Sequence, residues 1–507
     1  MTRVPSVDWV ALAPVVAPLL GVVLVLVVDA VAPRAARLAR VHDALAVAGL
    51  VAAGAAVTWL AVDGAARSTV CVPGGDGEAG LVLPSCSYVV SDLTLTLQAI
   101  AVVGALGCLL LAVDGPAAAD RTPHHVLLLS AVAGVAALAG ARDLATLVIA
   151  LETASLPAVG LVALRRDAQG AQAGITLLLT AVASLGLLLL GVALIHAATG
   201  ELHLDRIATA LSGPDLSGAV LAVAGLGTVL GVAGIGFKLS AVPFHLWTPD
   251  TYAGAPLPIA AFLAVVSKTA GLAAVVVLLA LGLPALAGSW GLVVAVLAAV
   301  TVTVGNLVAL RQRVAVRLLA WSTVAQAGWV LLPLGAAVDA ASVPTAVAAS
   351  VGYLVAYAAA TLAVFTVVVL LARHHPAGEE HTLADYRGLA RREPVAAAVL
   401  GFGLACLAGL PPGVMGLVAK LVAVRPLVDN GVWVIAVIAA VNVVLGVLYY
   451  LRWGALLVAA PGAGDGAPVT WRVRPAEGLV LGGAAALCVA FSVLPQVVAG
   501  VLPGVLR

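Results

Sequence analysis

Long apolar segments recur along the whole chain, and they limit its fold more than any other feature. Of the 507 residues, 63% are hydrophobic and only 10% are charged, whereas a soluble domain is about half apolar and about a quarter charged. A helix needs about 20 apolar residues to cross a membrane, and a transmembrane β-barrel would show short alternating segments instead. The sequence therefore predicts an all-α polytopic membrane protein, with a single integral membrane domain over residues 1–507.

We expect about 14 transmembrane helices, one from each apolar segment. The predicted spans, numbered 1 to 14, are 9–31, 43–64, 90–113, 123–141, 143–164, 171–199, 216–240, 257–281, 287–310, 314–336, 343–372, 394–425, 430–453 and 477–503. Spans 4 and 5 almost touch, and their division is placed at Ala141-Arg142-Asp143.

The distribution of arginine predicts the orientation of the chain, because connections on the inner side of a membrane carry an excess of basic residues. Connections after odd-numbered spans carry 16 arginines, and the opposite side, termini included, carries 6. This asymmetry predicts a multi-pass protein of the cell membrane with both termini outside. The net charge of +1 does not indicate a nucleic-acid partner.

The cysteines and glycines exclude several kinds of cofactor site. The sequence has no CxxC or Cys/His cluster with metal-ligand spacing, so we expect neither a bound metal nor an iron–sulfur cluster. No GxGxxG motif opens a helix after a strand, so no dinucleotide site is indicated. Cys71 and Cys86 fall in an outer loop between spans 2 and 3, where a disulfide and two free thiols are both compatible with the sequence.

Four charged residues stand out in the apolar segments, three lysines and one glutamate. The chain has only three lysines, Lys238, Lys268 and Lys420, and all of them occupy apolar segments. Glu152 is the only glutamate in the interior of a span. Each charge facing lipid at mid-membrane would cost about 3 kcal/mol, or roughly 12 kcal/mol for four, which rivals the ~5–15 kcal/mol stability of a whole domain. We therefore expect the four groups to face the protein interior.

These four residues are candidates for a proton relay. One carboxylate cannot pair with three ammonium groups, and making or breaking a close carboxylate contact changes a proton affinity by about 1–3 pKa units. That change is worth ~1.4–4 kcal/mol, while moving one charge against 100 mV requires about 2.3 kcal/mol. A rearrangement of charges could therefore drive a proton across the membrane. The alternative is that the charges form ion pairs that only fix helix packing.

Other polar residues are lesser candidates. His245 follows Pro-Phe at the inner end of span 7, where a relay role and simple loop packing both remain open. A further set could line a water path or satisfy backbone groups at helix contacts: Asn306, Ser322, Gln326, Tyr353, Tyr357, Asn442, Tyr449 and Tyr450. Trp329, inside span 10, is interpreted as a packing residue.

Two halves of the chain show a related pattern. Span 7 combines Lys238 with Pro243, and span 12 places Lys420 after Pro411-Pro412. The two spans are five apart, so equivalent five-span units would run in opposite directions, as in transporters built from inverted repeats with interrupted helices. We predict a first inverted repeat over 123–281 and a second over 287–453.

Several motifs carry a family resemblance. Residues 237–258, Phe-Lys-Leu-Ser-Ala-Val-Pro-Phe-His-Leu-Trp-Thr-Pro-Asp-Thr-Tyr-Ala-Gly-Ala-Pro-Leu-Pro, resemble the signature of the subunit N family of bacterial proton-pumping NADH–quinone oxidoreductase, respiratory complex I. This family is one of antiporter-like subunits, and the resemblance extends over nearly the whole chain. Matching pieces also occur at 151–157, 317–328, 385–392, 407–412 and 448–452.

The resemblance implies a function and a role for each charged residue. The chain would be a proton-translocating subunit of the membrane arm, with discontinuous helices 7 and 12. Glu152 would pair with Lys238, Lys268 would be the central relay, and Lys420 would lie toward the exit. The enzyme would be the whole NADH:quinone oxidoreductase, with NADH, FMN, iron–sulfur clusters and quinone in partner subunits and no cofactor in this chain. Its partners would be the other membrane subunits and the lipid bilayer, not further copies of itself.

Two departures from the family pattern and one competing function stay open. The run after Pro411-Pro412 is one residue longer than the usual form, and one residue is about 100° of helix, so the direction of Lys420 is not determined. Span 6 begins with Ile-Thr where Lys-Tyr is frequent in the family. The competing function is a cation/proton antiporter subunit of the Mrp type, which shares the same helical core.

Overall fold

The computed structural model describes residues 7–31, 39–72, 75–77, 80–82, 84–113, 118–213, 216–373, 381–460 and 473–500. Its α-helices are α1 Ala13–Val31, α2 Ala39–Asp63, α3 Asp92–Ala112, α4 Ala118–Gly140, α5 Leu144–Ala163, α6 Ala168–Thr199, α7 Leu204–Ala210, α8 Gly218–Leu239, α9 Trp247–Gly254, α10 Leu257–Val275, α11 Ala287–Ala309, α12 Ala315–Leu331, α13 Val343–Ala372, α14 Leu389–Arg392, α15 Pro394–Ala408, α16 Val414–Asp429, α17 Trp433–Val458, α18 Pro475–Val493 and α19 Pro495–Gly500. A π-helical turn, Val276–Gly282, continues α10, and short 3₁₀ turns occur at Pro284–Leu286, Leu332–Ala336 and Leu383–Tyr386.

The helices confirm the predicted polytopic membrane fold. In the described ranges, 13 helices are long and apolar enough to cross a membrane. Predicted span 12 is divided between α15 and α16, which are shorter than the other spans. The predicted division at residues 141–143 is also found, since α4 ends at Gly140 and α5 begins at Leu144. Residues 501–503, the end of predicted span 14, lie outside the described residues.

Two of the membrane helices are interrupted, as the resemblance implies. Helix α8 ends where Ser240 adopts a left-handed conformation (φ 61°), and α9 begins only at Trp247. Helix α15 ends at Gly409, also left-handed (φ 78°), and α16 begins after Pro411-Pro412. A left-handed residue ends a helix, and proline has no N–H with which to continue it. The short segments around Pro243 and Pro411 therefore separate each span into two halves.

The core of the fold surrounds α10 and α13. In α10 every residue from Ile259 to Val275 is buried, and in α13 nearly every residue is buried. By contrast, α1 and α6 expose many of their apolar side chains. Because a membrane helix can face lipid without cost to its apolar side chains, α1 and α6 form part of the periphery. Lys268, on α10, is thereby placed at the centre of the helix bundle.

A small β-structure, which the sequence did not predict, fills the loop between α2 and α3. Strand β1 Arg67–Val72 pairs antiparallel with β4 Ser85–Val90, and β2 Gly75–Gly77 pairs with β3 Gly80–Val82. The register sets Cys71 opposite Cys86, and the two form a disulfide. Of the two alternatives left by the sequence, the structure therefore has the crosslinked loop.

The loop between α4 and α5 packs beneath this β-structure. Arg142 donates a backbone hydrogen bond to Ser87 O (2.9 Å), and burial lowers the pKa of its guanidinium to about 10. Tyr88 receives a hydrogen bond from Gln98 Nε2 (2.7 Å), and burial raises the pKa of its phenol to about 12. At neutral pH the arginine is therefore charged and the tyrosine neutral, and both hold the loop between α2 and α3 onto the helices.

Candidate functional site

The first interrupted helix brings two of the predicted lysines together. Lys238 lies in the last turn of α8, just before the break, and Lys268 lies on α10 beside it. The Lys268 ammonium donates to the hydroxyl of Ser240 and lies 3.5 Å from the backbone oxygen of Lys238. Both side chains are buried, with exposures of 6% and 1%. The break thus turns the carboxyl end of α8 toward a cation on the next helix.

An aromatic surface and a second hydroxyl complete the surroundings of Lys268. Its Nζ lies 5.1 Å from the centre of the Trp247 ring, within the range of a cation–π interaction. The indole Nε1 of Trp247 donates to Phe237 O (3.0 Å), which fixes the ring against the end of α8. The hydroxyl of Thr248 donates to Ser240 Oγ (2.6 Å). The ammonium is therefore solvated by protein groups in place of bulk water.

Glu152 is close enough to Lys238 for an electrostatic interaction but does not touch it. The carboxylate lies on α5, is only partly buried, and acts electrostatically on the Lys238 ammonium. No ion pair within 4.0 Å joins the two groups in the part of the chain that the structure describes. The pair implied by the resemblance is thus a separated one in this conformation.

A small cavity lies against Lys238. It is lined by Lys238, Ser155, Ser267 and apolar side chains of neighbouring helices, and its volume for the centres of water molecules is ≈ 10 Å³. That volume is about what one water needs. The hydroxyl of Ser155 donates to Leu151 O (2.6 Å), whereas Ser267 Oγ is buried and has no partner among the described residues. A single water could therefore bind between Ser267 and the lysine.

The second interrupted helix positions Lys420 in a similar way. Lys420 points inward, with an exposure of 5%, and its Nζ donates to Ala408 O (2.5 Å) at the end of α15. The same Nζ lies 5.4 Å from the centre of the Trp329 ring. Trp329 is therefore more than the packing residue that the sequence suggested. Lys238 precedes its break and Lys420 follows its own, so the two lysines are not at equivalent positions.

A buried hydrogen-bonded network runs from the Lys420 site toward α10. Trp329 stacks on Tyr353, with ring centres 5.8 Å apart. The Tyr353 hydroxyl donates to Gln326 Oε1 (2.5 Å), and Gln326 Nε2 donates to Tyr450 (3.1 Å). One turn along α13 from Tyr353, Tyr357 donates to Ala264 O (2.9 Å), one turn before Lys268 on α10. Polar groups thus occupy the space between the Lys268 and Lys420 sites.

A second polar group joins α11 to α17 behind this network. Tyr449 donates to Asn306 Oδ1 (3.1 Å), and Asn306 Nδ2 donates to Asn442 Oδ1 (3.0 Å). Asn442 Nδ2 donates in turn to Thr303 Oγ1 (2.9 Å). The ring of Tyr449 lies 4.3 Å from that of Tyr450, which also contacts Ser322 Oγ (2.5 Å). All eight of the lesser polar candidates therefore take part in these buried contacts.

His245 does not join the lysines. It lies in the break after α8, buried, with its ring 5.2 Å from that of Trp321 in an edge-to-face arrangement. Its Nδ1 has no partner among the described residues. These contacts fit the packing interpretation, while a relay role for His245 stays a prediction.

The fold and the site together define a class of protein: a polytopic membrane subunit of the antiporter-like type, with two interrupted helices and buried lysines. The sequence profile described as "NADH:quinone oxidoreductase/Mrp antiporter, TM" matches residues 141–446, more than half of the chain. The chain belongs to this family of transmembrane subunits.

Individual relatives agree with this assignment. The chain is 44% identical to "NADH-quinone oxidoreductase subunit N 2" of Streptomyces griseus, over 92% of this chain and 85% of the relative. It is similar to a chain of respiratory complex I from Thermus thermophilus, with 28% identity and a TM-score of 0.77 over 97% of this chain and 100% of that one. A chain of the Mrp complex from Dietzia shares the fold, with 22% identity and a TM-score of 0.78 over 97% and 96% of the two chains.

Proposed function

We propose that this chain is a proton-translocating subunit in the membrane arm of an NADH–quinone oxidoreductase. The S. griseus relative is named as subunit N of such an enzyme, and the T. thermophilus structure is one of a whole respiratory complex I. NADH oxidation and quinone reduction would occur in partner subunits that hold the flavin, iron–sulfur clusters and quinone. In the part of the chain that the structure describes, no group of three His, Cys, Asp or Glu residues could hold a metal.

The observation that carries the proposal is a pair of buried lysines, Lys238 and Lys268, beside one partly buried carboxylate, that of Glu152. Lys238 and Lys268 act electrostatically on each other, and among the described residues the acidic group that acts on this pair is Glu152 on α5. Like charges repel each other, and burial strengthens that repulsion. A movement of Glu152 toward Lys238 would favour a second proton on the pair, and a movement away would favour its release.

Protons would pass from Glu152 and Lys238 to Lys268 and then to Lys420. In the first step, a water in the cavity beside Ser267 would contact Lys238. The second follows the side of α13, where Tyr357 and Tyr353 offer hydroxyl groups between the two lysine sites. A hydroxyl can accept one proton while it donates another. Tyr357 donates to Ala264 O and Tyr353 to Gln326 rather than to each other, so water between the two hydroxyls would complete this step.

The arrangement of the chain in the membrane is also a proposal. The arginine distribution supports both termini outside, in the inner membrane of a bacterium. The interrupted helices α8/α9 and α15/α16 support two inverted repeats, 123–281 and 287–453. The other membrane subunits of the complex would cover part of the surface of this chain, and we expect no homo-oligomer outside the complex.

The experiment is proton pumping by the assembled complex in membrane vesicles, with NADH oxidation measured in parallel. Three variants each remove one charge of the proposed relay: Glu152→Gln, Lys238→Met and Lys268→Met. In each we expect pumping per NADH to fall by about tenfold or more. Arg425→Gln is the control, because Arg425 lies on the Lys420 helix but is exposed and forms its ion pair with Asp429, one turn further along. Normal pumping in the three variants would contradict the relay.

Assembly distinguishes the relay from the other two interpretations. If Lys238→Met assembles but does not pump, a purely structural role for the buried charges is excluded. If the chain purifies with flavin and iron–sulfur subunits, it acts in an NADH–quinone oxidoreductase. Purification with antiporter subunits alone would instead favour the Mrp alternative, whose structural relative shares the fold at 22% identity.

A further inference from the structure

Ser240 occupies a backbone position at which helices usually end on glycine. It follows α8 with φ 61°, and the N–H groups of Ser240 and Ala241 donate to Phe237 O (2.9 Å) and Gly236 O (2.8 Å). This pattern closes a helix through one left-handed residue, a conformation that favours glycine because a Cβ is strained there. The turn itself therefore does not require the side chain of Ser240.

The second interrupted helix ends in the same way but on glycine. Gly409 follows α15 with φ 78°, and the N–H groups of Gly409 and Leu410 donate to Cys406 O (3.2 Å) and Ala405 O (3.0 Å). A Cβ added at Gly409 would be 3.3 Å from Lys420 Nζ. The residue that ends each helix thus lies beside a buried lysine, and only the first of the two carries a hydroxyl.

This hydroxyl is the one contact of Lys268 that can both donate and accept a hydrogen bond. The other contacts of Lys268 Nζ are the backbone oxygen of Lys238 and the face of the Trp247 ring, and both can only accept. Lys420 likewise has a backbone oxygen and an indole face. An ammonium needs acceptors alone, whereas a neutral amine has a lone pair that needs a donor. Ser240 therefore adds to the Lys268 site what a neutral lysine lacks elsewhere.

Thr248 determines the direction in which this hydroxyl can donate. Thr248 Oγ1 donates its proton to Ser240 Oγ (2.6 Å), and among the described residues the other hydrogen-bond partner of Ser240 Oγ is Lys268. A hydroxyl has one proton to donate, so that of Ser240 points to Lys268 Nζ. With Lys268 as an ammonium, Ser240 would accept twice and its own proton would have no acceptor among the described residues. With Lys268 as an amine, both hydroxyl protons are matched.

We propose that Ser240 is a positioning residue that holds Lys268 in its neutral state, with Thr248 directing its hydroxyl. The proposal rests on the proposed function, since it concerns how Lys268 gives up a proton within the proposed relay. Ser240 loses no proton itself. As the proton leaves Lys268 for the next acceptor of the relay, the N–H···O bond from the ammonium is replaced by an O–H···N bond to the amine.

Other titratable groups lie on the helices packed against α10. Lys238 of α8 acts electrostatically on Lys268, and Glu152 of α5 acts on Lys238. The further titratable side chains that are buried on these helices are Cys108 of α3, His124 and His125 of α4, Tyr252 of α9, and Tyr353 and Tyr357 of α13. All of them are unchanged in Ser240 and Thr248 variants, so a difference between pH profiles reports the hydroxyl contacts of Lys268.

The test measures proton pumping per NADH by the assembled complex in membrane vesicles from pH 6 to 8.5, and the thermal midpoint. Ser240→Gly removes the hydroxyl and relieves the left-handed backbone, which offsets the lost hydrogen bond, so we expect assembly with a similar thermal midpoint. An ammonium keeps its two acceptors in this variant, whereas the amine loses its donor. We therefore expect pumping to fall by about tenfold at pH 6 and by about twofold or less at pH 8.5, where protons are released more readily.

A matched control and a conservative variant accompany this test. Thr228→Val removes a hydroxyl of the same helix that donates to Ala224 O (2.8 Å), and we expect it to pump normally at every pH. Thr248→Val should lower pumping at pH 6 as Ser240→Gly does, and Thr248→Ser, which keeps the hydroxyl, should retain the unmodified profile. Unchanged pumping in Ser240→Gly, or a loss equal at every pH, would refute the role of the hydroxyl.

Lys268→Met, measured beside these variants, separates this inference from the proposed function. A loss of pumping in Lys268→Met with normal pumping in Ser240→Gly would retain the proposed function and refute the role of Ser240. Normal pumping in Lys268→Met would refute both, since Ser240 acts through that lysine.

Discussion

The close packing of α8 on α6 gives the sharpest prediction about the Lys238 site. Gly234 lies one turn before Lys238, and a Cβ added there would be 2.7 Å from Leu188 N and 2.8 Å from Ser184 O. Ordinary contact begins at 3.4 Å, so Gly234→Ala must separate the two helices by about 0.7 Å. The same separation weakens the hydrogen bond from the Ser184 hydroxyl to Gly234 O.

The destabilising effects outweigh the stabilising one. Overpacking of this kind costs about 1–3 kcal/mol, and the weakened hydrogen bond adds up to about 1 kcal/mol. Against these stands the higher helix propensity of alanine, about 0.5–1 kcal/mol. The net loss is about 2 kcal/mol at the middle of these ranges and about 0–3.5 kcal/mol across them. A misplacement near 1 Å can also slow a reaction about a hundredfold, so a shift of Lys238 by 0.7 Å should lower pumping by about tenfold.

Gly225→Ala on the same helix is the matched control, because a Cβ added at Gly225 meets nothing within 4 Å. We expect it to pump normally and to be as stable as the unmodified chain or slightly more so. The assays are the thermal midpoint of the purified complex and proton pumping per NADH. If Gly234→Ala matched Gly225→Ala in both, the argument from helix spacing to Lys238 would be refuted.

Two further predictions concern the polar network and the outer loop. Gln326→Leu leaves the hydroxyl of Tyr353 without its acceptor, so we expect it to cost about 1–3 kcal/mol and to slow pumping. Tyr353→Phe in addition should recover part of the lost thermal stability but none of the pumping; full recovery of pumping would argue against a hydrated path. Cys71→Ser opens a loop of sequence separation 15, with an expected loss of about 3 kcal/mol. Its freed Cys86 should react with an impermeant maleimide in intact cells, and labelling only in broken cells would reverse the proposed orientation.

Much of the fold follows from the sequence because the bilayer imposes simple rules. Each long apolar run became a helix, and the prolines at 243 and 411–412 interrupt helices where the pattern indicated. The rarity of lysine makes Lys238, Lys268 and Lys420 visible as candidates in the sequence itself, and all three are buried. Composition alone identifies these candidates, because a charged side chain in an apolar span is costly and is usually kept for a function or a partner.

The partners of those lysines could not be predicted in the same way. Ser240 contacts Lys268 from 28 positions away, and Gln326 contacts Tyr450 from 124. Such pairs depend on which helices are neighbours, and apolar helices carry no pattern that specifies their neighbours. The pairing of His125 with Asp43 is hidden for the same reason, since the carboxylate lies 82 positions earlier.

The two interrupted helices share one electrostatic arrangement despite their unequal lysine positions. In the first, Lys268 reaches the backbone oxygen of Lys238 at the carboxyl end of α8; in the second, Lys420 reaches Ala408 O at the carboxyl end of α15. A helix presents unsatisfied carbonyls and negative partial charge at that end. Each break therefore exposes a helix end inside the membrane, where it stabilises an ammonium group without a carboxylate. Such a site can hold a proton and still release it, because no strong ion pair must be broken.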